Sequence, residues 1–145
     1  MEKELAITTK VKINLETISN LLVSAFEGGS NYWYVDMEFT KEPDMKKVKE
    51  NIPSLYEKAR YSYYPFGGEM IVFTDEELDL KNVQPVKKNK GDEGYILNMD
   101  RIKRGLELMA EKYSTHFADI MNENDDATTG DVFLQLCLFE DVIFG

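Results

Sequence analysis

Twice in this chain an apolar residue is followed by Asn, a second apolar residue, an acid, a variable residue and Ile, with Leu four positions later. The first copy is Ile13-Asn14-Leu15-Glu16-Thr17-Ile18 with Leu22, and the second is Leu97-Asn98-Met99-Asp100-Arg101-Ile102 with Leu106. Asn is a favoured N-cap because its side-chain oxygen accepts an unpaired first-turn amide, and an acid just inside the start suits the helix dipole. Both stretches therefore predict helix starts. The likeness reads either as an internal duplication or as one capping chemistry used twice.

Around these two points the periodicity alternates between strand and helix. Residues 4–13 are β-branched and partly alternating, which predicts a strand. Leu15, Ile18, Leu22, Ala25 and Phe26 then recur at helical spacing until Gly28-Gly29, where one glycine is expected at positive φ. Residues 31–39 alternate again, with Trp33, Val35, Met37 and Phe39 expected in the core and Tyr32, Tyr34, Asp36 and Glu38 on the wet face. Prolines punctuate 41–68, with short helices predicted at 44–50 and 54–60, followed by a strand at 69–73. Residues 75–94 are rich in Asp, Glu, Lys, Asn and Gly and read as an exposed excursion or hairpin, before a strand at 95–98.

From Met99 the pattern is helical, with Ile102, Leu106, Met109 and Ala110 on one face and Tyr113 extending it. A short helix over 115–122 should bury Phe117, Ile120 and Met121. A last helix from Thr128 or Thr129 should carry Val132, Phe133, Leu136, Cys137 and Phe139. The terminal Val142-Ile143-Phe144 is too apolar to hang in water and is expected to pack, on the fold or in a dimer interface.

Length and composition narrow the function classes. A chain of 145 residues with 43% apolar and 30% charged residues suits one globular domain, 1–145. No apolar run approaches the roughly 18 residues of a membrane span, and the opening MEKELAITTK is not a signal peptide. One cysteine excludes an internal disulfide, and one histidine excludes a His-rich metal site. With 27 acidic against 17 basic residues, and a net charge of -10, direct binding to nucleic acid is disfavoured.

The charge is uneven. Residues 1–72 hold 11 acidic and 9 basic side chains, whereas 73–145 hold 16 and 8, so the second half carries most of the excess. Asp119, Glu123, Asp125, Asp126, Asp131, Glu140 and Asp141 follow one another without a Lys or Arg. Such a segment can engage a basic protein groove, or it can be a solvated loop with helix-capping acids. Residues 122–131 do not form an EF-hand loop, because Ala127 and Phe133 stand where Gly and Glu are required.

The other conspicuous feature is aromatic. Tyr32, Trp33 and Tyr34 share one segment, and Tyr61, Tyr63, Tyr64 and Phe66 another. Tyrosine offers wide contact area at small entropic cost, which suits recognition, although half-buried strands use it too. Catalytic constellations are sparse: Cys137 sits among Leu136, Leu138 and Phe139, and nothing in the pattern brings His116 beside it. The paired glycines match neither a Walker loop nor a dinucleotide fingerprint. No catalytic residue, metal ligand or cofactor is assigned.

FEGGSNYWY (26–34), the stretch Leu97–His116 and NENDDATTGDVFLQLCLF (122–139) resemble small acidic proteins encoded by tailed phages and prophages, in which similar opening and closing blocks recur. The resemblance is weakest over about 40–94. It transfers no activity and no catalytic residue, and it implies a bacterial cytoplasm, consistent with the unpaired thiol.

The expected fold is α+β: an antiparallel or mixed sheet of about four strands with two to four helices mainly on one face, covered chiefly by the helices that begin near Asn14 and Asn98. The expected function is that of a phage-encoded, non-enzymatic accessory protein. It would bind and neutralise a bacterial host protein, such as a basic nucleic-acid-binding immune factor, through Tyr32, Tyr34, Tyr61, Tyr63, Tyr64, Glu123, Asp125 and Asp126. It would act as monomer or homodimer, without membrane. The alternatives are a nucleotide sponge using Lys10, Lys12, Lys58 and Arg60 or the Lys87–Lys90 cluster, and a carboxylate/divalent-metal enzyme.

Overall fold

A computed structural model describes residues 3–54 and 58–145. Both Asn-led motifs cap helices. The Asn14 side chain accepts from the Glu16 amide at 2.8 Å to open α1 (Leu15–Ser24), and Asn98 accepts from Arg101 at 3.0 Å to open α3 (Met99–Lys112). The contexts differ, since Leu97 closes a strand while Ile13 closes a segment with no regular structure. Capping chemistry therefore accounts for the likeness. Asp44 caps α2 (Met45–Asn51) in the same way, close to the helix predicted at 44–50. The helix predicted at 54–60 falls partly outside the described residues, and a 3-10 turn follows at Arg60–Ser62.

Four strands form an antiparallel sheet in the order β1-β2-β4-β3, with β1 Tyr34–Lys41, β2 Glu69–Thr74, β3 Lys87–Asn89 and β4 Asp92–Leu97. The fold is α+β, with five α-helices among the described residues where two to four were expected. The fourth strand is not the predicted one at 4–13, because residues 5–14 are neither helix nor strand and lie mostly in water. Alternation makes a segment fit a pleated surface, but a strand also needs a ladder partner. The fourth strand comes instead from the 75–94 excursion, whose end is a hairpin. Lys90 (φ 47°) and Gly91 (φ 94°) occupy its two-residue turn, and such turns require positive φ at both positions.

Strand β1 also departs from simple alternation. Tyr34 pairs with Thr74 and Asp36 with Phe73, so Val35 is an extra, bulged residue. The bulge shifts the face pattern: Val35 is 47% exposed rather than in the core, while Tyr34 packs inward. Trp33 is buried as expected, but from the turn that precedes the strand.

The core side of the sheet carries Met70, Val72, Tyr95 and Leu97. The helix against it is α5 (Ala127–Phe139), whose Phe139 ring meets Tyr95 edge-on at 4.9 Å. Every residue from Thr129 to Phe139 is buried, so α5 runs through the middle of the molecule with α1 and α3 packed on it. That placement corrects the expectation that α1 and α3 would be the main cover of the sheet. Gly105 lets α3 approach closely, since a Cβ there would lie 2.5 Å from Cys137 Sγ. Ile18, Leu22, Ile102, Leu106 and Met109 are buried as predicted, whereas Ala110 is exposed. Helix α4 (Ser114–Met121) buries Ile120 and half-buries Phe117, but leaves Met121 exposed.

The glycines after α1 act by close approach. Residues Ala25–Gly29 form a single π-helical turn, and neither Gly28 nor Gly29 has positive φ, contrary to the expectation. A Cβ on Gly29 would stand 2.0 Å from the Ala127 carbonyl oxygen. The chain thus passes directly against the start of α5. On the opposite face of the sheet, Ile71 and Phe73 are buried over Gly94, where a Cβ would collide with both, and the Lys87–Glu38 ion pair (2.8 Å) spans the two edge strands.

Candidate functional site

The close passage at Gly29 brings two sequence features together, the aromatic block at 30–34 and the acidic run at 119–131. Their join is Asp131. It lies in the second turn of α5, is only 8% exposed, and accepts four hydrogen bonds: Ser30 Oγ at 2.8 Å, Tyr32 OH at 2.6 Å, Trp33 Nε1 at 2.7 Å and Gln135 Nε2 at 3.1 Å. A buried carboxylate is tolerable only when its lone pairs are filled, and these donors fill them. Asp131 therefore belongs to the interior, not to an acidic surface.

Gln135, one turn on, ties down the backbone of Ile143 and Phe144. Its amide donates to the Phe144 carbonyl at 3.2 Å, and its oxygen accepts from the Ile143 and Phe144 amides at 2.8 Å each. Phe144 stacks on Trp33 with centroids 5.4 Å apart and planes 1° from parallel. Val142 and Phe144 of the terminal apolar run pack on their own fold, as one of the two expectations had it, whereas Ile143 stays exposed. Ser30 and Gln135 had no role in the sequence reading, while Asp131 counted there only as one charge of the acidic run and Phe144 only as part of the terminal apolar run. The available signal was that Asp131 and Gln135 are the only polar side chains in an apolar stretch, four residues apart and so on one helix face.

Most of the expected contact tyrosines prove structural. Tyr64 is buried, and its ring meets Phe39 at 4.7 Å. Tyr34 donates to the Phe26 carbonyl at 3.0 Å and packs on that ring, and burial raises its hydroxyl pKa. Tyr61 is half-buried and donates to Glu27; burial, then that bond, pushes its hydroxyl up. Tyr63 is half-buried as well. All four pack in or against the core, with Tyr34 and Tyr61 on the Phe26 ring of the π turn and Tyr64 on Phe39. Tyr32 differs. It is 58% exposed, yet its hydroxyl is held by Asp131, and burial of the hydroxyl end followed by that bond pushes its pKa up to about 12.

The acidic residues divide similarly. Asp126 is exposed but caps α5, accepting from the Thr129 amide at 2.9 Å, and that bond lowers its pKa. Asp125 is half-buried and Glu123 is exposed at positive φ (57°). Glu140 caps the far end of α5 in left-handed geometry; burial opposes its ionisation, but Arg101 and Arg104 outweigh burial and hold its carboxyl below the usual range. Glu123, Asp125 and Asp126 remain beside the α5 start, where Gly28 and Gly29 abut Ala127 and where Tyr32 is pinned. The structure thus brings residues 28–33 onto the first turns of α5, joining two regions about a hundred residues apart in sequence.

The cationic groups offered for an anionic ligand are largely engaged. Lys58 donates to Ser19 Oγ and Asn20 Oδ1, Arg60 lies over the Phe39 and Tyr64 rings, and Lys87 and Lys88 pair with Glu38 and Glu93. Lys10 and Lys12 do line a cleft of about 890 Å³ with Lys103 and Arg104, but Asp100, Glu107 and Glu111 share its lining and offset them. Burial pushes the Cys137 thiol up, and His116 Nδ1 bonds Thr129 Oγ1 at 3.1 Å. Among the described residues there is no group of three or more His, Cys, Asp or Glu side chains placed to hold a metal ion, and no helix is long and apolar enough to cross a membrane. No protein-family model, curated protein or solved structure matches the chain.

Proposed function

We propose that this protein is a non-catalytic binder that docks on a basic surface of a bacterial protein, with Tyr32 as the aromatic anchor and Glu123, Asp125 and Asp126 as the charged rim. The observation that carries this reading is the exposed Tyr32 ring, whose hydroxyl is fixed at 2.6 Å on a buried carboxylate beside the acidic loop. A contact ring already held in place loses little freedom on binding, so more of its contact energy appears as affinity. Rim carboxylates would steer a Lys/Arg-rich partner and speed association. The charge of -10 suits a partner that itself binds nucleic acid, since the acidic rim then competes for the groove that holds phosphates. Neutralisation of an immune factor during phage infection is the biological role we propose.

The test is capture from bacterial lysate by the intact chain, compared with Glu123→Gln/Asp125→Asn/Asp126→Asn and with Tyr32→Ala. Asn at 126 preserves the helix cap, so the triple variant removes charge without loosening α5. Capture of one protein should fall as salt rises from about 50 mM to about 500 mM, because exposed charges are screened. The triple variant should associate more slowly, and Tyr32→Ala should dissociate faster. Capture that ignores salt and both variants would refute the reading, and a tightly held small molecule recovered with the protein instead would favour the sponge.

A further inference from the structure

Residues 3–12 form an exposed arm that leads into the α1 cap. Leu5 is 93% exposed, Ile7 81% and Val11 52%. Large apolar side chains left this open, on a segment with strand periodicity, mark a surface that is incomplete. The sheet edges do not supply the missing partner. Strand β1 is bulged near both ends and its Met37 amide is taken by Asp36, while β3 has three residues. Nor can the arm fold back on itself, since Glu4 to Ile13 contains no Gly, Pro, Asn or Asp with which to turn.

We propose that the arm becomes a strand by pairing antiparallel with the same arm of a second copy, centred on Thr8. The sequence is self-complementary in that register. Glu4 stands opposite Lys12, Leu5 opposite Val11, Ile7 opposite Thr9, and Thr8 opposite its own counterpart on the two-fold axis. Opposed charges, apolar pairs and Thr–Thr pairs are the cross-strand contacts that stabilise a ladder. Pairing stops at Lys12 because Ile13 is already packed on its own core. Residues 3–12 carry Lys3, Lys10 and Lys12 against Glu4, so the paired arms do not add to the acidic excess of the chain.

A two-stranded ribbon alone is marginal in water and needs an apolar bed. The cleft of about 890 Å³ provides one, since Thr9–Ile13 form one wall and Ile18, Ile102, Leu106 and Phe117 are among the lining residues. The odd-numbered residues of the ribbon, Leu5, Ile7 and Val11, share one face and would cover that cleft in each copy.

Light scattering of the intact protein from about 1 to about 100 μM should show the mass rising to twice the 16.8 kDa of one chain. Leu5→Lys/Ile7→Lys should weaken the dimer at least about tenfold while leaving the circular dichroism of the helices unchanged, because both side chains are largely exposed in one chain. Thr8→Cys should give an oxidised covalent dimer, since residues opposed on a two-fold lie within disulfide reach. Leu5→Cys should not, because its two copies would be about 20 Å apart along the ribbon. The native Cys137 is buried and does not compete. A monomer at every concentration would overturn the proposal. So would a dimer indifferent to the double lysine variant, or cross-linking at position 5 as efficient as at position 8.

Discussion

Replacing Asp131 with Ala should be among the most damaging single changes outside the purely apolar core. The carboxylate receives Ser30, Tyr32, Trp33 and Gln135, but these donors would not suffer equally. Tyr32 is open to solvent and can turn to water, and Gln135 keeps the Phe144 carbonyl. Ser30 and Trp33 Nε1 are buried and would lose their acceptor. A stranded buried donor costs about 1–3 kcal/mol, so two give about 2–6 kcal/mol. Asp131→Asn keeps one oxygen for Ser30 and Trp33 and turns an amide toward Tyr32, which can accept. Only the charge assistance goes, at about 1–2 kcal/mol. Urea unfolding followed by circular dichroism reads the difference. With a slope of about 2 kcal/mol per M, the midpoint should fall by about 1–3 M for Ala and by less than about 1 M for Asn. An Ala variant within about 1 kcal/mol of wild type, or an Asn variant as damaged as Ala, would show that satisfying donors is not what Asp131 does.

Gly29→Ala should cost about 3 kcal/mol or more, because the new methyl meets the Ala127 carbonyl, a backbone atom that cannot step aside. Gly28→Ala, whose Cβ would touch only the Ala127 Cβ at 3.6 Å, should be nearly silent, and equal thermal melts for the two would refute the close-approach account. Glu93 sets an acid limb. Its burial favours the neutral form, but bonds from the Leu78 amide, Tyr95 OH and Lys88 outweigh burial and hold its pKa below the ordinary 4.5. The stability it adds is therefore complete above 4.5 and is lost as pH falls through its folded value, so Glu93→Gln should flatten the loss below 4.5; an unchanged slope would refute this.

The sequence was most informative where a local rule operates alone. Asn14 and Asn98 mark their helix starts because a cap needs only its own first turn, and the 69–73 run reads as a strand because buried β2 is apolar on both faces. It was least informative where a second segment decides. The arm has the periodicity of a strand but no ladder within one chain, and the Val35 bulge depends on how β1 registers against β2. Tyr61 and Tyr64 have the composition of a recognition surface and the position of packing residues, which only the tertiary fold distinguishes. Asp131 counted as one charge in an acidic run, whereas three of its four donors lie about a hundred residues upstream.

That span has a kinetic side. Helix α5 is the piece on which the sheet, α1, α3 and the π turn all close, and it follows all of them in sequence. During synthesis, Leu21, Leu22, Met109 and the inner face of the sheet have nothing complete to fold against until residue 139 has been made. Upstream segments can form hairpins and transient helices, but the native core needs α5, so the nascent chain carries uncovered apolar surface until that helix has emerged. Slow emergence of residues 127–139 would then be the stage most exposed to aggregation, and chaperone demand should track the synthesis of this one helix rather than the size of the domain.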